Sequence, residues 1–130
     1  MSVYEIVKLK KGVKMKKVLI IDDEDRIRDI YSRLFVQAGI IVRRAKNATE
    51  ATNIMIREDI DLILLDLRMA VVDGRTMFDI IKEYDPHGKV IVSSVYPIEK
   101  QRELIPSALD YYDKSDGPLK LLEKVVNTLI

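Results

Sequence analysis

The chain has 130 residues, the size of a single domain, and its 48% apolar and 33% charged content suits a buried core under a solvated surface. That balance excludes a disordered tail, a collagen-like fibre and a coiled-coil rod, and no apolar run approaches the roughly 18 residues of a membrane span. With no cysteine and a single histidine, His87, the sequence excludes disulfides and thiolate or His-cluster metal sites and makes Ser-His-Asp hydrolysis nearly untenable, which leaves Asp and Glu as the main catalytic chemistry. The net charge of +1 hides an asymmetry. Residues 1–17 carry six lysines against Glu5, a local charge of +5, and residues 18–130 carry the other 16 basic and 20 acidic residues, a charge of −4. An acidic body argues against nucleic-acid binding by the globular part.

The leader, residues 1–15, mixes Val, Ile and Lys without a period and lacks the long apolar stretch of a signal peptide. It is expected to be a poorly packed basic extension, with the folded domain spanning 16–130 and Met15-Lys16-Lys17 a natural start. The lesser reading is a basic arm that touches acidic surfaces.

From Lys17 onward, apolar runs alternate with helical patterns. Val18-Leu19-Ile20-Ile21 is a continuous apolar run, as a strand buried on both faces requires. Asp25–Ala38 reads as a helix, with Ile27, Ile30, Tyr31, Leu34 and Phe35 at helical spacing and Gly39 as its stop. Ile40-Ile41-Val42 is a short strand. Asn47-Ala48-Thr49-Glu50 resembles a capping box and opens a helix that reaches Glu58. Leu62-Ile63-Leu64-Leu65 is a third strand and ends at Asp66. Gly74 breaks the next loop, ahead of a helix with Met77, Phe78, Ile80, Ile81 and Tyr84. Val90-Ile91-Val92 is a fourth strand ending at Ser93-Ser94, and Pro97 sits in the first turn of a short helix that ends before Pro106. Leu109–Asp113 is a weaker fifth strand, and Pro118 opens a last amphipathic helix. A strand–helix unit repeated five times predicts an α/β fold, a doubly wound parallel sheet with helices on both faces.

In such a sheet ligands bind at the carboxyl ends of the strands. The residues there are Asp22 and Asp23, Asp66, Ser94 and Lys114. Carboxylates crowded at one edge repel one another unless a cation joins them. An all-oxygen donor set suits Mg²⁺, or Mn²⁺. Asp66 is then a candidate nucleophile toward phosphorus, with the Lys114 ammonium and the Ser94 hydroxyl offsetting charge on the transferring group.

These residues carry a resemblance to the response regulator receiver domain, the CheY-like switch of two-component signalling, over about residues 16–130. The segments that match are Val18 to Glu24 with its acidic pair, Leu64-Leu65-Asp66-Leu67-Arg68-Met69 with Asp73-Gly74, Val90 to Ser94, and Ala108 to Lys114. The resemblance implies a flavodoxin-like, CheY-like five-stranded sheet in the order 2-1-3-4-5 with five helices. It implies phosphoryl transfer to Asp66 from a histidine kinase or histidine phosphotransfer partner, and a cytoplasmic location. Asp22, Asp23, Asp66 and the main-chain carbonyl of Arg68 would hold Mg²⁺. Lys114 would pair with the phosphoryl group, Ser94 and Tyr111 would form the switch, and Ile27 and Ile30 would lie where the partner docks. The face of helix four, strand five and helix five would then engage a downstream protein. Such a protein catalyses its own phosphorylation and is otherwise not an enzyme.

The sequence departs from the family at Ala70 and Ser115, where the family usually has prolines, so no cis-proline is expected after Lys114 and the loop before the last helix should differ. Helix four is about two residues short. Arg68 and Tyr96, two beyond Asp66 and two beyond Ser94, occupy positions that tune hydrolytic water in the family, and a large cation and an aromatic there predict a long-lived phosphoryl-Asp. With no output domain after the last helix, the chain is either a stand-alone receiver or part of a longer regulator. The alternative function is a receiver-fold interaction module that works without phosphorylation, against which the retained acids, Ser94 and Lys114 speak. A haloacid-dehalogenase-type phosphatase needs Asp-x-Asp after strand one, and a flavodoxin-like carrier needs a phosphate loop there; neither is present.

Overall fold

A computed structural model describes residues 5–6, 11–13, 15–69 and 71–130. Strands β1 (Lys17–Ile21), β2 (Ile41–Ala45), β3 (Leu62–Asp66), β4 (Val90–Ser94) and β5 (Asp110–Asp113) alternate with helices α1 (Asp25–Gln37), α2 (Ala48–Arg57), α3 (Gly74–Tyr84), α4 (Ile98–Leu104) and α5 (Pro118–Leu129). All pairings are parallel, in the order β2-β1-β3-β4-β5, as the resemblance implies.

Helices on both sides explain why the central strands are uninterrupted apolar runs. Side chains alternate across a strand, so Val18 and Ile20 join Phe35, Leu122 and Val126 in one core, while Leu19 and Ile21 join Met77, Phe78 and Ile81 in the other. Burying one such side chain stabilises the fold by roughly 1.5–3 kcal/mol, so the two cores fix the strand order.

Local chemistry sets the helix ends. Gly39, at φ 83°, takes the left-handed conformation that closes α1. Asn47 accepts the Glu50 amide at 2.9 Å and Glu50 accepts the Lys46 amide at 2.9 Å, a reciprocal cap for α2. Asp73 accepts the Thr76 amide at 2.8 Å and caps α3, so Gly74 is the first helical residue instead of a loop break. Pro97 is likewise the residue before α4, outside its first turn. The fifth strand begins at Asp110, one residue later than expected.

The leader departs from expectation at two positions. Ile6 and Val13 are buried in the core beside α5, so the poorly packed extension expected of residues 1–15 is corrected there. A 3₁₀ turn at Lys11–Val13 packs on α5. Lys8, Lys10, Lys14 and Ala70 lie outside the described residues, and with them the basic-arm reading and the effect of the missing loop proline. Among the described residues no peptide bond is cis, and no helix is long and apolar enough to cross a membrane.

Candidate active site

Four strand ends deliver the site. Asp22 follows β1, Asp66 ends β3, Ser94 ends β4 and Lys114 follows β5, and parallel register brings them to one edge. Carboxylate oxygens of Asp22, Asp23 and Asp66 lie within 4.8 Å of one another. Asp22 and Asp66 are buried, whereas Asp23 stands at the exposed rim. The Lys114 ammonium bridges the two buried acids, 3.1 Å from Asp22 Oδ2 and 3.4 Å from Asp66 Oδ1. The Arg68 amide donates to Asp66 Oδ1 at 3.3 Å. A cleft of about 380 Å³, lined by Asp23, Glu24, Asp66, Arg68, Val95 and Lys114, opens above the acids.

The electrostatics follow from burial. Desolvation, with the Asp22 charge beside it, pushes the Asp66 carboxyl up to about 6, against the pull of Lys114 and the Arg68 amide. Burial alone would lower the Lys114 ammonium, but the Asp66 and Asp22 carboxylates outweigh it and hold Lys114 above its usual value. Asp66 is therefore ionised for the most part at neutral pH and faces a cation that stays charged. Three hard oxygen donors this close suit a small divalent cation such as Mg²⁺, so the residues present fit the metal that the sequence suggests.

One further feature, Gly74, shapes the acceptor. A Cβ at Gly74 would lie 2.5 Å from Leu67 Cα and 2.8 Å from the Asp66 carbonyl oxygen, so only glycine lets α3 start against the acceptor strand. Its amide donates to the Leu67 carbonyl at 3.0 Å.

The remaining expected residues fall as follows. Ser94 is buried, and its Oγ accepts the Tyr96 amide at 3.1 Å. Tyr111 is buried, with its hydroxyl donating to the Ile105 carbonyl and the Arg102 guanidinium 5.0 Å from its ring centroid. Arg68, which lines the cleft, and Tyr96 form a cation–π pair. Ile27 is half-buried against the α1 core, while Ile30 is exposed on α1. Ser115 donates through its amide and hydroxyl to Asp113 Oδ1, at 2.9 and 2.7 Å, inside a 3₁₀ turn that replaces the proline loop.

Sequence reasoning passed over two buried polar side chains. Arg28 donates to the Asp22 carbonyl at 2.6 Å, and its place on the buried α1 stripe with Tyr31 and Phe35 was a readable signal. Gln101 is fully buried and donates to the Tyr96 and Tyr112 carbonyls at 2.8 and 2.9 Å, tying α4 to the β4 loop and to β5. Nothing in a seven-residue helix without a clear period marked Gln101 as interior.

Comparison with known proteins agrees with this fold. Residues 18–126 match the family model described as the response regulator receiver domain. The chain is 34% identical over 119 residues to a protein-glutamate methylesterase/protein-glutamine glutaminase of Archaeoglobus fulgidus, covering 88% of this chain but only 34% of that protein. It thus spans about a third of that relative's length. It is 31% identical over 103 residues to sporulation initiation phosphotransferase F of Bacillus subtilis, covering 76% of this chain and 82% of that one. Among solved structures it resembles a Thermotoga maritima response regulator in complex with Mg²⁺ and BeF, with a TM-score of 0.79 and 28% identity over 89% of this chain and 100% of that chain.

Proposed function

The chain belongs to the response regulator receiver domain family of two-component signalling, and from that premise we propose that it is a phosphoryl-accepting switch with Asp66 as the acceptor. The observation that carries the reading is the Lys114 ammonium lying between the buried carboxylates of Asp22 and Asp66, with Asp23 beside them. In the transfer, the Asp66 carboxylate attacks phosphorus, a P–O bond forms, and the P–N bond to the partner's imidazole breaks. The donor is a histidine kinase or a histidine phosphotransfer protein.

Asp22, Asp23, Asp66 and the main-chain carbonyl of Arg68 would hold Mg²⁺, which when bound supplies positive charge to the phosphoryl oxygens. Lys114 pairs with a further oxygen, and Ser94 turns from the Tyr96 amide toward the group. The added charge and acceptors then bias the position of Tyr111, which now anchors to the end of α4. The face of α4, β5 and α5 carries that change to a downstream protein. Ile30, exposed on α1, and Ile27, half-buried against the core, belong to the surface the phosphodonor protein meets. Membership of the two-component receiver family supports a cytoplasmic site of action.

Acetyl phosphate with Mg²⁺, read by intact mass, tests the proposal. A single added phosphoryl, absent from Asp66→Ala and absent without Mg²⁺, is the expected result. No adduct from several donors on folded protein would replace the switch with a phosphorylation-independent interaction module.

A further inference from the structure

Arg28 is a buried cation beside the acids that phosphoryl transfer does not use. It lies on α1 in the stripe of Tyr31 and Phe35 and is 6% exposed. Burying a guanidinium without partners is costly. Its fork is divided between two partners. Nη1 donates to the main-chain carbonyl of Asp22 at 2.6 Å, and Nη2 pairs with the carboxylate of Asp25.

Asp22 is thereby held at every polar group. Its amide donates to the Ala45 carbonyl at 3.1 Å, Oδ1 accepts the Glu24 amide at 3.0 Å, and Oδ2 accepts Lys114 at 3.1 Å. The fourth hold, on the carbonyl, is the one from Arg28. It staples the second turn of α1 back to the end of β1 and closes the turn that carries Asp22 and Asp23.

We infer that Arg28 is a positioning residue for the divalent cation: its bond to the Asp22 carbonyl holds the turn that presents the Asp22 and Asp23 carboxylates to the cleft. The inference rests on the metal-assisted reading above. Two effects compete. A positive charge near three carboxylates weakens cation binding. A turn already fixed strengthens it, because the ligands need no ordering when the cation arrives. The geometry favours the second, since the Asp25 carboxylate offsets the guanidinium charge locally and the bond goes to the backbone of a ligand residue.

A magnesium titration followed by backbone amide chemical shifts, on the full chain, separates these. Mg²⁺ alone is the probe. Arg28→Met, checked for folding by far-UV circular dichroism, is expected to weaken Mg²⁺ binding by about tenfold, the usual effect of removing a group that orients a metal ligand. Arg28→Lys keeps the charge but cannot serve both partners, and should fall between the two. Binding by Arg28→Met as tight as wild type, or tighter, overturns the inference. If Arg28→Met does not fold, an Arg28→Lys affinity equal to wild type overturns it instead. A wild-type chain whose amides do not respond to Mg²⁺ sinks the metal-assisted reading itself, a distinct failure.

Discussion

The guanidinium of Arg68 lies over the ring of Tyr96, 5.6 Å from its centroid. Arg68 comes from the loop after β3 and Tyr96 from the loop after β4, and Arg68 and Val95, the neighbour of Tyr96, line the cleft that holds Asp66. We propose that this pair acts as a cover that obstructs the water attacking an aspartyl phosphate. A long-lived phosphoryl-Asp66 is the expected outcome, timed by loss of the adduct mass. Arg68→Ala and Tyr96→Ala should each shorten the lifetime by about tenfold, or about 1.4 kcal/mol of barrier, and the double variant should add little, because each single change already breaks the pair. A wild-type lifetime no longer than that of either variant would remove the cover from the account.

Gly74→Ala drives a methyl group into the backbone of Asp66 at the end of β3 and of Leu67 just after it, so main chain, not a flexible side-chain end, must shift. Overpacking of this sort costs about 1–3 kcal/mol. The urea midpoint should fall accordingly. Phosphorylation of the folded fraction should also slow, because the displaced backbone is that of the acceptor.

Asp66 sets a stability window. Its folded value of about 6 lies above its usual value near 4, so between those pH values the folded state binds more protons than the unfolded one. Stability from this group is therefore lost as pH rises from about 4 to about 6 and stays lost above that. In chelator-containing buffer Asp66→Asn should be more stable than wild type by about 2–3 kcal/mol at pH 7.5, with the gain shrinking toward pH 4. Equal urea midpoints across this range would show that burial does not strain Asp66.

Glu58 acts in the opposite direction. Its bond from Arg43, with a second from Lys17, holds its carboxyl down to about 2. Its contribution is present above its usual value near 4 and is lost as pH falls toward 2. Glu58→Gln should flatten the acid limb of the stability profile in that interval, monitored by circular dichroism. An unchanged limb would mean that solvent screens the Arg43–Glu58–Lys17 group completely.

The fold was legible because of how it is covered. A strand buried on both faces must be apolar throughout, and β1, β3 and β4 read that way at Val18, Leu64 and Ile91. The site was legible for a related reason. Parallel strands put every carboxyl end on one edge, so Asp22, Asp66, Ser94 and Lys114 had to converge although the chain scatters them.

What the sequence by itself determined, then, is the alternation of strands and helices and the chemical set at their ends, since both follow from periodicity and chain direction. Only the tertiary structure decided the contacts between elements. Arg28 lies on a readable helical stripe and Gln101 looks like a surface residue, but the carbonyls that partner them come only from other segments. Ile6 and Val13 sit in a leader without a period, and their burial depends on the exposed flank of α5 that the rest of the chain leaves beside them. Arg68 and Tyr96 touch because β3 and β4 are neighbours in register, with Asp66 opposite Ser93. Local propensity carries no information about such pairs, because whether a buried group is partnered or pays its desolvation penalty depends on groups from other segments.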